Sequence, residues 1–167
     1  MIIAVIGGDS PPPEALPAAE AVGRELAQRG HAVICGGRGG VMEAACRGAR
    51  QAGGHTIGIL PGSDPRDANP YVEFPIATGL GFARNAIIVL SADALIAVDG
   101  SYGTLSEIAM ALTHGKPVIG LATWHISDGA GIEDESIVRV SEPVEAVERA
   151  IAAAEATSSG SARGARS

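Results

Sequence analysis

Lysine is nearly absent from this 167-residue chain: Lys116 is the only one among 12 basic residues. A Walker-type phosphate loop needs a lysine directly after its last glycine, followed by Ser or Thr. Lys116 stands instead between Gly115 and Pro117 at the head of an apolar run, so that kind of ATP binding is excluded. Acids outnumber bases 19 to 12, a net charge of −7, which argues against nucleic acid or an anionic membrane as partner. A small phosphorylated ligand stays compatible, because a local site need not follow the global sign.

Aromatic residues are scarce as well, at 3%, against 23 glycines. An all-β domain would want more aromatics and threonine, whereas tight turns with Ala, Val, Ile and Leu between them suit helices layered on a sheet. There are two cysteines, Cys35 and Cys46, with neither CxxC nor zinc spacing, and reduced, buried thiols are expected. The four histidines are dispersed without metal-ligand spacing, and no metal is expected. No long hydrophobic run occurs; the apolar start MIIAVIGG is too short for a signal peptide or a membrane span, and a cytoplasmic location is expected. The length suits one domain, expected over residues 1–155, with a disordered tail from 156 to 167 where the apolar pattern ends.

What is present is an alternation. Continuous apolar runs at Ile2–Ile6, His31–Cys35, His55–Leu60, Ala92–Val98 and Pro117–Thr123 are separated by segments of helical spacing starting at Glu14, at Val41, at Gly79 and directly after Thr104. Short strands are expected at 72–77 and 137–140, and a last helix at Pro143–Ala154 with proline in its first turn. The pattern predicts an α/β fold: a single Rossmann-like three-layer domain, its mostly parallel sheet covered by helices on both faces. Ligands of such sheets bind above the carboxyl ends of the strands, where the strand order reverses. The loops meeting there, Gly7 to Ser10, Gly36 to Gly40, Pro61 onward and Asp99 to Thr104, are rich in Gly, Ser, Asp or Pro.

The stretch ADALIAVDGSYGTLSEI, residues 92–108, is the most informative. It predicts a strand, a glycine-rich turn and a helix start, a place whose free N–H groups and dipole favour an anion. A dinucleotide GxGxxG is absent: the turns read GGDSPP, GGRGGVM and GSYGTL. Ser101 sits where a hydrolase nucleophile would, but no histidine follows the acids Asp128 and Asp134 as that catalytic order requires.

DGSYGTLSE resembles the PGGxGTxxE motif of the Lonely-Guy-type cytokinin riboside 5'-monophosphate phosphoribohydrolases, a Rossmann-like family often mislabelled lysine decarboxylases. GGRGGVM resembles that family's glycine turn, and GFARN the segment with its catalytic arginine; the likeness runs over roughly Met1 to Leu121. With Asn85 after the arginine, the chain looks closer to a branch of the superfamily that includes molybdenum-cofactor carrier proteins. The resemblance implies Glu107 as catalytic carboxylate and Arg84 as its partner, with Gly100, Gly103 and Thr104 holding a 5'-phosphate. Gly8, Ser10, Gly36, Gly37, Gly40, Asp99, Ser101 and Tyr102 complete the expected nucleotide-binding set. A structural ion pair between two helices is the alternative role for Arg84 and Glu107. No cofactor is implied; pyridoxal chemistry would need a Schiff-base lysine, and Lys116 is misplaced for one. The expected activity is hydrolysis of a nucleoside 5'-monophosphate to free base and ribose 5-phosphate, the alternative a noncatalytic carrier or sensor of a phosphorylated cofactor, and the family implies a homodimer or higher homo-oligomer. Departures from the motif are Asp99 for proline, Ser101 for the second glycine, Asn85 for lysine, and Gly81-Phe82 for Met-His.

Overall fold

A computed structural model of the chain describes residues 1–164. Seven strands form one sheet: β1 (Ile2–Gly7), β2 (Ala32–Cys35), β3 (Thr56–Leu60), β4 (Phe74–Ala77), β5 (Ala94–Val98), β6 (Val118–Leu121) and β7 (Ile137–Val140). The spatial order is β4-β3-β2-β1-β5-β6-β7, and every neighbouring pair is parallel. The chain builds outward from β1 to β4, then crosses back to place β5 on the other side of β1. The order therefore reverses beside β1, the location at which open α/β sheets hold ligands.

Alternation along β1 shows why the strands are apolar throughout. Ile3 and Val5 face a core with α1 (Ala15–Gln28), α2 (Gly40–Gln51) and α5 (Pro143–Gly164), while Ala4 and Ile6 face one with α3 (Asn85–Ser91) and α4 (Tyr102–Thr113). Glycines let neighbouring helices of one layer approach closely. A Cβ on Gly23 of α1 would strike the Ala45 backbone of α2, and one on Gly48 of α2 the Glu20 backbone of α1. Cys35 and Cys46 are free and buried, their sulfurs 3.5 Å apart between β2 and α2.

Three elements differ from the sequence reading. The strand expected at 72–77 begins at Phe74, as the exposed edge β4. The helix expected over Gly79–Leu90 is a 3-10 turn, Gly81–Arg84, leading into the short α3; Gly81 has φ 56°, a left-handed conformation that an α-helix cannot contain. The last helix continues beyond Ala154 to Gly164 instead of giving way to disorder at 156. Thr157, Ser158 and Ser159 donate their hydroxyls to the carbonyls of Ala153, Ala154 and Glu155, so these polar residues join the helix without breaking it. The end of the expected tail, 165–167, lies outside the described residues. Among the described residues no helix is long and apolar enough to cross a membrane.

Candidate functional site

A cavity of about 430 Å³ opens at the carboxyl ends of β1, β2, β3 and β5, with Gly7, Gly36, Pro61 and Ser101 in its wall. One side is the first turn of α4. Ser101 is its N-cap and makes no capping bond through its side chain, so the leading N–H groups of the helix remain available. Gly103 and Thr104 line the cavity from this turn. Thr104 is 1% exposed, and its hydroxyl has no hydrogen-bond partner. A buried polar atom without a partner costs about 1–3 kcal/mol, which a ligand oxygen would relieve.

One turn further along α4, Glu107 reaches the cavity while remaining 7% exposed. Burial pushes its carboxyl up to about 7, and the positive charge of Arg84 pulls only partly against that. Arg84 arrives from the 3-10 turn before α3, is 8% exposed, and keeps a buried Nε with no acceptor. Its proton affinity is lowered by burial and partly restored by Glu107. The two charges feel each other but form neither an ion pair nor a hydrogen bond, so the helix-to-helix bridge weighed from the sequence is not made.

Gly36 explains how the arginine fits. A Cβ there would collide with the Arg84 guanidinium and with the Met42 sulfur, so a bare backbone at the end of β2 is what lets Arg84 lie across the cavity floor. Asn85, 5% exposed, lines the cavity beside Arg84, and its amide donates a long 3.4 Å bond to the Ser106 hydroxyl. Asp9 and Arg38 stand at the mouth, 3.9 Å apart. They also border a second cavity of about 400 Å³ that Glu43 and Asp67 make acidic.

A sequence profile of the SLOG cluster4 family matches residues 1–155. The chain belongs to that family. Among relatives, it is 46% identical over 129 residues to an uncharacterised protein of Archaeoglobus fulgidus, covering 77% of this chain and 85% of the other. It is 36% identical over 111 residues to the cytokinin riboside 5'-monophosphate phosphoribohydrolase LOG of Oryza sativa, a match covering 60% of this chain and 46% of that longer protein. Among solved structures, the molybdenum cofactor binding protein from Rippkaea orientalis superposes with a TM-score of 0.81 at 40% identity, over 90% of this chain and 94% of the other. The two resemblances read from the motifs, to Lonely-Guy-type enzymes and to molybdenum-cofactor proteins, are both present in these likenesses.

Within this SLOG fold the cavity brings together Arg84, Glu107, Gly36, Ser101, Gly103 and Thr104 of the expected site. The other expected residues lie outside its wall. Gly8 accepts the Val41 N–H through its carbonyl, and Gly40 packs against the backbone of Gly8 and Asp9. The Gly37 N–H donates to the Cys35 sulfur, and its carbonyl accepts from the Asn69 N–H. Gly100 packs on the Thr104 side chain, and Ser10 is exposed. Asp99, with φ 52°, directs its carboxylate towards Gly8, 3.9 Å from where a Cβ on that glycine would stand. Tyr102 is 81% exposed and its ring lies 5.6 Å from that of Trp124. Asp9, Arg38 and Pro61 belong to three of the loops expected to converge here, although the sequence assigns them no role singly, whereas sequence reasoning missed Met42 and Phe82 as wall residues.

Proposed function

We propose that the chain binds a nucleoside 5'-monophosphate and hydrolyses its N-glycosidic bond, releasing free base and ribose 5-phosphate. The observation that carries this reading is Glu107, a carboxyl poised to ionise near neutral pH, facing an arginine that it does not engage. The phosphate would sit at the first turn of α4, against Gly103 and the unpartnered Thr104 hydroxyl, where helix N–H groups and dipole favour a dianion. The ribose then lies over Glu107, one turn along the same helix.

As the bond between C1' and the base nitrogen breaks, its electron pair leaves with the base and positive charge develops on the ribosyl ring. Ionised Glu107 stabilises that charge and accepts a proton from the water that adds to C1'. The departing base takes up one proton, so the sum is addition of one water across the bond. Arg84, free of a carboxylate partner, has donors left for substrate oxygens.

Incubation with adenosine 5'-monophosphate and chromatographic detection of adenine tests this reading. Release of adenine that disappears in Glu107→Gln supports it; no release from any nucleoside monophosphate, or release unchanged in the variant, overturns it.

A second reading, a noncatalytic carrier of a phosphorylated cofactor, is favoured by the 40% identity to the molybdenum cofactor binding protein over nearly the whole chain and by Asn85 in place of a lysine. Tight binding of a phosphorylated pterin without turnover of nucleotides would select it. The expected homo-oligomer is proposed with either reading, and light scattering tests it; Phe74 and Ile76, both about half exposed on the edge strand β4, offer apolar surface for it.

A further inference from the structure

Phe82 lines the cavity yet is 84% exposed, more than any other large apolar side chain described in the fold. Such a ring contributes nothing to either core, and this chain has few to spare: two Phe, two Tyr and one Trp in all. It projects from the Gly81–Arg84 turn, two residues before the arginine on the cavity floor, so one short element carries both a rim aromatic and a floor cation.

Resting on the reading that the cavity takes a phosphorylated ligand, we propose that Phe82 is the stacking platform for a planar heterocycle carried by that ligand. The chemical layout supports this. Phosphate donors occupy the α4 side of the cavity, Glu107 and Arg84 its floor, and Phe82 presents the most exposed apolar ring along its wall. A ligand with its phosphate on α4 and its sugar over Glu107 has its third part, the base, left to leave the floor towards the rim. There, a ring face offers stacking to any flat π system without demanding particular hydrogen bonds. The ligand class is therefore a phosphate ester bearing an aromatic heterocycle, and a sugar phosphate without one lacks a main contact.

The test compares two ligands on one protein by calorimetry. Formycin A 5'-monophosphate carries a purine-like base on a carbon–carbon glycosidic bond that hydrolysis cannot break, and ribose 5-phosphate carries no base. In Phe82→Ala the first should bind roughly 5- to 100-fold more weakly, while the second is unchanged. Phe82→Trp should keep the affinity for the formycin nucleotide. Because Phe82 lies outside both cores, the alanine variant should melt like the wild type, which thermal unfolding checks. Equal weakening of both ligands, or no weakening of either, overturns the platform while leaving the phosphate site standing. A fall in molar mass by light scattering with nucleotide affinity intact also overturns it, since Phe82 would then serve contact between copies. Failure of the nucleotide to bind the wild type, whether or not ribose 5-phosphate binds, overturns the inference together with the proposed function.

Discussion

The Arg84 guanidinium lies over the bare backbone of Gly36, in the space that any side chain at residue 36 would occupy. The contact joins the end of β2 to the turn before α3, two segments nearly fifty residues apart, and it sets the direction of the cation. Gly36→Ala is expected to push Arg84 and Met42 aside, cutting affinity for phosphate esters tenfold or more. Because only the tips of two flexible side chains must move, the stability cost should stay at about 1 kcal/mol or below. Calorimetric titration and chemical denaturation of the variant measure the two effects separately.

Glu107 makes stability depend on pH in an unusual direction. Its proton is held more tightly in the folded chain, near 7, than at the ordinary 4.5. The folded state thus binds more protons than the unfolded state between those values, and stability falls as pH rises through that window and levels off above it. The full span is on the order of 3 kcal/mol. Denaturation curves recorded from pH 4.5 to 8 should show this fall in the wild type relative to Glu107→Gln, in which it is expected to vanish. Turnover, needing the ionised form, should rise over the same range with an apparent pKa near that of Glu107.

Thr104→Val removes a hydroxyl that has no partner in the fold. Stability is expected to hold or rise slightly, because an unsatisfied buried group is exchanged for a methyl of similar shape. Affinity for a phosphate ester should drop by roughly ten- to a hundredfold, the scale of one hydrogen bond to a charged group. Melting temperature and titration together give opposite signs, a combination that mere packing damage would not produce.

Asp99 turns its carboxylate towards Gly8, outside the cavity wall. Asn shares the tolerance of Asp for its left-handed backbone, so Asp99→Asn should fold normally. Loss of one nearby negative charge should tighten phosphate binding only about twofold, an effect that fades in high salt. Titrations at two ionic strengths check both points.

The layered sheet was legible because each strand is a continuous apolar run, and because glycine turns mark where strands hand over to helices. Glu107 and Thr104 follow from a single helix start, and Arg84 from its motif. The convergence of the loops holding Asp9, Arg38 and Pro61 was legible too, but Met42 and Phe82 were not, since one lies inside α2 and the other in a turn whose apolar spacing imitates a helix. Gly8 and Gly40 look like anion-binding glycines in sequence, and in the fold they lie outside the cavity wall, the Gly8 carbonyl accepting the Val41 N–H and Gly40 packed on the Gly8–Asp9 backbone. Sequence shows a glycine but not whether backbone or ligand fills the space it leaves. The 3-10 turn at Gly81–Arg84 was hidden for a related reason: apolar spacing persists across it while the helix itself does not.

Gly23 and Gly48 place α1 and α2 backbone to backbone. Two helices meshed at that distance cannot slide without colliding, so they form a stiff plate behind β1 and β2. Any adjustment to an incoming ligand must then come from the opposite wall, the stretch from Pro61 through Arg84, whose only described regular elements are two 3-10 turns and an edge strand. One jaw of the pocket is thus a pair of meshed helices and the other a run of short elements, and hydrogen exchange in the presence of ligand is expected to change more on the second than on the first.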